Sequence, residues 1–124
     1  MSSAIISLLF VLFCSTLFVQ GDELSCYSCE SNDAEHCPRV TTDVSIYDTQ
    51  KCTGSLEHVC AKFSIDLLNG ESITYRSCEP KYIGGTSDTA EFCQYHTGLF
   101  QPLIDNYLIS TFECSTCSSF LCNT

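Results

Sequence analysis

The sequence predicts a small, disulfide-rich all-β domain. Three observations lead there: an apolar leader, an even set of ten cysteines behind it, and β-branched and aromatic residues between turn signals. Residues 4–19, "AIISLLFVLFCSTLFV", form the leader, and Val19-Gln20-Gly21 suits signal peptidase. Sixteen residues fall short of the roughly 20 that span a bilayer, and polar residues follow at once. Residues 1–21 are therefore expected to be a secretory signal peptide and residues 22–124 a single domain, since no linker, repeat or low-complexity run divides them.

Cleavage after Gly21 removes Cys14 and takes the cysteine count from 11 to an even ten. In an oxidising compartment ten cysteines in about a hundred residues read as five disulfides. The bridges matter energetically, because a chain of this size buries only about two-thirds of its unfolded surface. Each contributes roughly 2 to 4 kcal/mol by restricting the unfolded chain.

All 15 acidic and all 5 Lys or Arg residues follow Gly21, so the domain carries a net charge of −10. Nucleic acid and anionic lipid are therefore poor partners. The acids are scattered rather than blocked, which reads as a solubilising surface.

The clearest hairpin is "CAKFSIDLLNGESITYRSC", residues 60–78, where Val59, Ala61, Phe63, Ile65 and Leu67 alternate with polar residues. A two-residue turn at Asn69-Gly70 would place Ile73 and Tyr75 on the face away from Phe63. A three-residue loop, with Gly70 left-handed as a glycine bulge, pairs Ile65 with Ile73 and Phe63 with Tyr75 and is the expected register. Between Cys93 and Cys114, Leu99, Phe100, Leu103, Ile104, Tyr107 and Leu108 recur at threes and fours. They predict a short helix of two turns with Pro102 in its first turn and its apolar stripe toward the core.

Two CxxC pairs, Cys26/Cys29 and Cys114/Cys117, raise the question of zinc, but 84 residues separate them where zinc ribbons use about 15 to 20. A redox thiol would need a helix N-terminus or a nearby cation, whereas "SCYSCESND" supplies acids. Structural bridging remains. His36, His58 and His96 are dispersed without metal-ligand spacing. No Gly-x-Ser-x-Gly elbow and no Gly-bearing Asp loop occurs, so neither cofactor, metal nor catalysis is expected.

Spacing alone leaves roughly nine hundred pairings open for ten cysteines. The gaps of 7, 14, 7, 17, 14 and 20, opened by "LSCYSCES" at residues 24–31 and closed by "CSSFLCN", resemble the LU domain family. That family takes its name from lymphocyte antigens and the urokinase receptor and is related to snake three-finger toxins; "TYRSCEP" and the late CxxC are most similar to arthropod members. The resemblance implies a three-finger fold with bridges Cys26–Cys60, Cys29–Cys37, Cys52–Cys78, Cys93–Cys114 and Cys117–Cys122. Four long-range bridges would gather at one end, and three hairpin fingers would extend from them. It also gives Asn123 the role of a terminal asparagine whose amide hydrogen-bonds backbone across the knot. The family's eighth and ninth cysteines are usually adjacent, whereas Ser115 and Thr116 separate them here.

The functional expectation is a secreted, extracellular, non-enzymatic module that binds a protein partner such as a receptor, ion channel or junction complex. The alternative is an escort that assembles membrane proteins along the secretory pathway. Because finger tips vary on a rigid knot, the expected partner surface lies on the second and third fingers, at Asn69, Glu71, Leu99, Phe100, Leu103 and Tyr107. Only Asn123 and Thr124 follow Cys122, so no lipid-anchor signal is evident in the sequence.

Overall fold

A computed structural model describes residues 23–31, 35–84 and 90–124. The leader and its cleavage site lie outside the described residues. No helix among the described residues is long and apolar enough to cross a membrane.

The chain forms β1 (Ser25–Ser31), a 3-10 turn (Val44–Ile46), β2 (Asp48–Lys51), β3 (His58–Asp66), β4 (Ser72–Pro80), β5 (Tyr82–Ile83), β6 (Ala90–Glu91), helix α1 (Phe92–Asp105) and β7 (Thr111–Cys117). One antiparallel sheet runs β2-β1-β4-β3-β7, and β5 pairs with β6 apart from it. Finger I is β1 to β2, finger II is the β3–β4 hairpin, and finger III runs from β5 to β7.

In finger II, Phe63 faces Tyr75 and Ile65 faces Ile73, and Asp66 opposite Ser72 closes the ladder. This is the register that the apolar match demanded. Gly70 takes φ +89°, a conformation that glycine adopts without the steric cost of a Cβ. Leu67 N–H donates to the Glu71 carbonyl and Gly70 N–H to the Leu67 carbonyl.

Finger III departs from the sequence reading. Its helix has 14 residues, nearly four turns, and starts ten residues before Pro102, which sits in the last turn rather than the first. A stripe at spacing four explains the early start: Phe92, His96 and Phe100 face the sheet. Phe92 is buried, His96 lies 4.1 Å from it between ring centroids, and Phe100 stacks on Phe112 of β7 at 4.4 Å. Counted as polar, His96 hides this stripe in the sequence. The third finger is thus strand, helix and strand instead of a hairpin.

Pleating assigns the central sheet two faces. Phe63, Ile65, Ile73, Tyr75, Phe112 and Cys114 share the helix side, while Lys62, Ser64, Asp66, Thr74, Arg76, Glu113 and Ser115 share the other, which the finger I loop covers. Ser64, Thr74 and Arg76 are buried there, and Arg76 is wholly inaccessible.

The bridges are Cys26–Cys60, Cys29–Cys37, Cys52–Cys78, Cys93–Cys114 and Cys117–Cys122, the pairs that the resemblance implies. Their placement differs from the expected gathering of four: six cysteines, from Cys26–Cys60, Cys52–Cys78 and Cys117–Cys122, pack as one cluster with Leu24. Cys93–Cys114 instead ties α1 to β7 on the helix side. The two residues between Cys114 and Cys117 keep the faces correct, since positions three apart on a strand point to opposite sides, as adjacent ones do. Cys114 lies opposite Phe63 on the helix side, and Cys117 lies opposite Cys60 in the knot. β7 accordingly runs through Cys117 without a break.

Candidate interaction surface at the finger tips

The tips of fingers II and III meet at Asp66. Ser110 N–H donates to the Asp66 backbone carbonyl at 2.8 Å. The Asp66 carboxylate accepts from Thr111 Oγ1 at 2.5 Å, Ser72 Oγ at 2.9 Å and Arg39 Nη2 at 2.7 Å. One side chain therefore joins strands β4 and β7 and the finger I loop. The hydrogen bonds from Thr111 and Ser72, and then the Arg39 bond and charge, hold its carboxyl below the ordinary carboxylate value.

The end of α1 shapes the finger III tip. Leu108 N–H bonds the Leu103 carbonyl at 2.8 Å and Tyr107 N–H bonds the Ile104 carbonyl at 3.1 Å, the paired bonds of a Schellman stop. The residue after the helix C-cap in such a stop is left-handed and usually glycine, and here it is Tyr107 at φ +56°. A side chain in that conformation costs roughly 1–2 kcal/mol. Its ring is 80% exposed, so packing of that ring within the domain does not offset the cost.

Leu108 and, on the finger II turn, Leu68 are also exposed, at 63% and 62%. Ile109 beside them is buried and anchors the turn. Three large apolar side chains thus stand on two tips joined through Asp66. Glu71 and Asp105, both exposed, give these tips an acidic rim.

Among the chain's five cations, Arg39 reaches the tips at Asp66. Arg39, Lys62 and Arg76, three of the chain's five, occupy the polar face of the sheet. A groove of about 370 Å³ opens there between Arg39, Lys62 and Glu113. Burial first, then the charges of Arg76 and Arg39, hold the Lys62 amine below its usual value, against the pull of Glu113.

Of the side chains expected to bind a partner, Asn69 and Glu71 lie on the finger II turn and Tyr107 on the finger III tip, which Ser110 joins to Asp66. Asn69 Oδ1 accepts from Glu71 N–H and so fixes the turn. Leu99 is half exposed on the flank of α1, one helical turn after Tyr95. Phe100 and Leu103 are half-buried, and Phe100 packs on Phe112. Leu68 and Leu108 are not among the expected partner residues: Leu108 reads as part of the helical stripe, whereas Leu68, a leucine inside a predicted turn, carries a signal of exposure.

Asn123, given a structural role from the resemblance, is buried across the knot. Its Oδ1 accepts from Tyr27 N–H at 2.9 Å, and its Nδ2 donates to the carbonyls of Tyr27 and Ala61 at 3.0 and 2.9 Å. Its own carbonyl accepts from Arg76 Nε at 3.0 Å. Arg76 Nη1 then reaches the Pro38 carbonyl at 2.8 Å, Nη2 the Arg39 carbonyl at 3.1 Å, and the Tyr47 ring lies 4.4 Å from the guanidinium. The tips therefore stand on a frame fixed by bridges, an arginine and an asparagine.

Comparison with curated proteins and with solved structures returned no significant match. Residues 24–123, from the residue before β1 to the buried asparagine, match the Quiver family u-PAR/Ly-6-like domain, and the chain belongs to that family of small disulfide-rich extracellular or cell-surface domains.

Proposed function

We propose that the chain is a secreted binding module without catalysis, and that it engages a membrane receptor, an ion channel or a junction complex through the tips of fingers II and III. The observation that carries the reading is Tyr107, an exposed aromatic side chain held in a backbone conformation that favours glycine. Strain retained at an exposed position on a rigid frame supports a role outside the fold itself. Tyrosine is also among the residues that dominate binding energy when an interface covers them.

The acidic rim and the charge of −10 give the partner its chemistry: an apolar depression bordered by Lys or Arg. The test compares wild-type protein with Tyr107→Ser and Leu108→Ser variants, each applied to living cells with a cross-linker. Loss of one cross-linked membrane protein in both variants, with unchanged thermal unfolding, is the expected result. Equal capture by all three proteins would remove the tip surface from the reading. Protein held inside cells with unassembled membrane cargo would point to the escort role.

A further inference from the structure

We propose that Cys26, Cys52, Cys60 and Cys78 form an exchange-competent disulfide quartet that converts between the pairs Cys26–Cys60 with Cys52–Cys78 and the pairs Cys26–Cys52 with Cys60–Cys78. Two independent observations meet here. The sulfurs of Cys26 and Cys52, which belong to different bridges, lie 3.6 Å apart, in van der Waals contact. Cys60 and Cys78, the partners left over, are directly opposite each other on β3 and β4. Opposite residues of an antiparallel pair have Cα atoms about 4.5–5.5 Å apart, inside the window of roughly 4.4–6.8 Å that a disulfide spans.

The route is closed in atoms and electrons, with a small-molecule thiol as catalyst. Cys26 and Cys60 are fully buried, whereas Cys78 is half-buried and admits attack. An external thiolate bonds the Cys78 sulfur and expels the Cys52 thiolate. Cys52 attacks the Cys26 sulfur beside it, forming Cys26–Cys52 and expelling the Cys60 thiolate. Cys60 attacks the mixed disulfide on Cys78 opposite, forms Cys60–Cys78 and returns the external thiolate. No net oxidation or reduction takes place.

The exchange changes what the knot joins. Both starting bridges link finger I to finger II, whereas the exchanged pair closes each finger on itself. Finger I would then hold to the hairpin through β1–β4 pairing, three residue pairs long, and the contacts of its loop with Arg76 and Asp66.

The experiment incubates folded, fully oxidised protein with substoichiometric reduced glutathione at about pH 8, where part of the thiol is ionised. Acid quench, proteolysis and mass mapping then identify the bridges. Peptides joined as Cys26–Cys52 and Cys60–Cys78 should appear together in equal amounts, with the other three bridges intact and faster amide exchange along β1. Starting pairs alone would overturn the proposal, and so would scrambling across all ten cysteines. A Cys60–Cys117 bridge would overturn it too, because Cys117 flanks Cys60 on the other side. A Cys78→Ser variant provides a second arm in which Cys52 is a resident thiol; it should partition between Cys26–Cys60 and Cys26–Cys52 without added glutathione. Cys93→Ser, which frees Cys114 on the helix side, should keep its remaining four bridges.

Discussion

The two faces of the central sheet are built on opposite principles. The helix side centres on Phe63, whose ring meets Tyr75 at 4.7 Å, Phe112 at 5.7 Å, His96 at 6.1 Å and Phe100 at 6.3 Å. Such contacts are individually weak and less directional than hydrogen bonds, so they respond gradually to a change of shape. The finger I side centres on Arg76, which donates to carbonyls of Pro38, Arg39 and Asn123 with no carboxylate among them. Those bonds are directional, and each carbonyl would lose a charged donor with the arginine. One face distributes its stability over many rings, whereas the other concentrates it in one side chain.

The largest expected effect breaks the concentrated face. Arg76→Met keeps much of the volume but strands three carbonyls, and it should cost about 3 to 5 kcal/mol, with urea unfolding of the oxidised protein as the measurement. Arg76→Lys should recover less than half of that, since an ammonium cannot reproduce the planar fork. A loss under about 1 kcal/mol for Arg76→Met would show that water replaces the guanidinium and that the contrast between faces is unreal.

On the distributed face, Phe63→Leu should cost about 1 to 1.5 kcal/mol and Phe63→Ala about 3, a graded response that follows the volume removed. Equal losses for the two variants would mean that Phe63 acts through ring geometry, as specific in its way as Arg76.

These faces were unequally legible in the sequence. The alternation of Ala61, Phe63 and Ile65 announced the helix side, and the demand that Ile73 and Tyr75 join it set the hairpin register. The intervening Lys62, Ser64, Thr74 and Arg76 carry no such signal, being simply polar, yet Ser64 and Thr74 are buried and joined by a hydroxyl hydrogen bond. Nothing local announces that a loop from finger I will cover them; that information is tertiary. The early half of α1 was obscured for a different reason, because residues 93–98 contain polar side chains and Gly98, and their stripe depends on a histidine. The bridge pairing came from family likeness rather than from spacing. At the tips, the turn at Gly70 was written in the sequence, but the left-handed Tyr107 was not, since a helix stop ordinarily announces itself by glycine.

Acid should sharpen the comparison at Asp66, where the finger I loop is fastened to the finger tips. Its folded pKa lies below the unfolded value of about 3.9, so it contributes stability that is present above that value and lost as pH falls through the folded one. Wild-type unfolding midpoints should therefore drop as pH falls below about 4, and Asp66→Asn should remove part of that slope while lowering stability at neutral pH. Identical slopes in the two proteins would assign the acid sensitivity to other carboxylates.

The smallest expected effect lies where both faces end. At Tyr107 the backbone wants glycine, and the exposed ring gives the fold nothing in return. Tyr107→Gly should therefore stabilise the domain by up to about 1 kcal/mol, a gain tempered by the extra freedom glycine gives the unfolded chain. Tyr107→Ala, which keeps the left-handed cost, should leave stability within about 0.5 kcal/mol of wild type. Partner binding separates the readings of that ring. Both variants should weaken it, by tenfold or more if the ring is a buried anchor worth roughly 2 kcal/mol in the complex. A glycine variant that is more stable and binds as wild type does would make the tyrosine a tolerated imperfection of the helix stop. One that is more stable and no longer binds would show that the fold gives up stability at this position to present the ring.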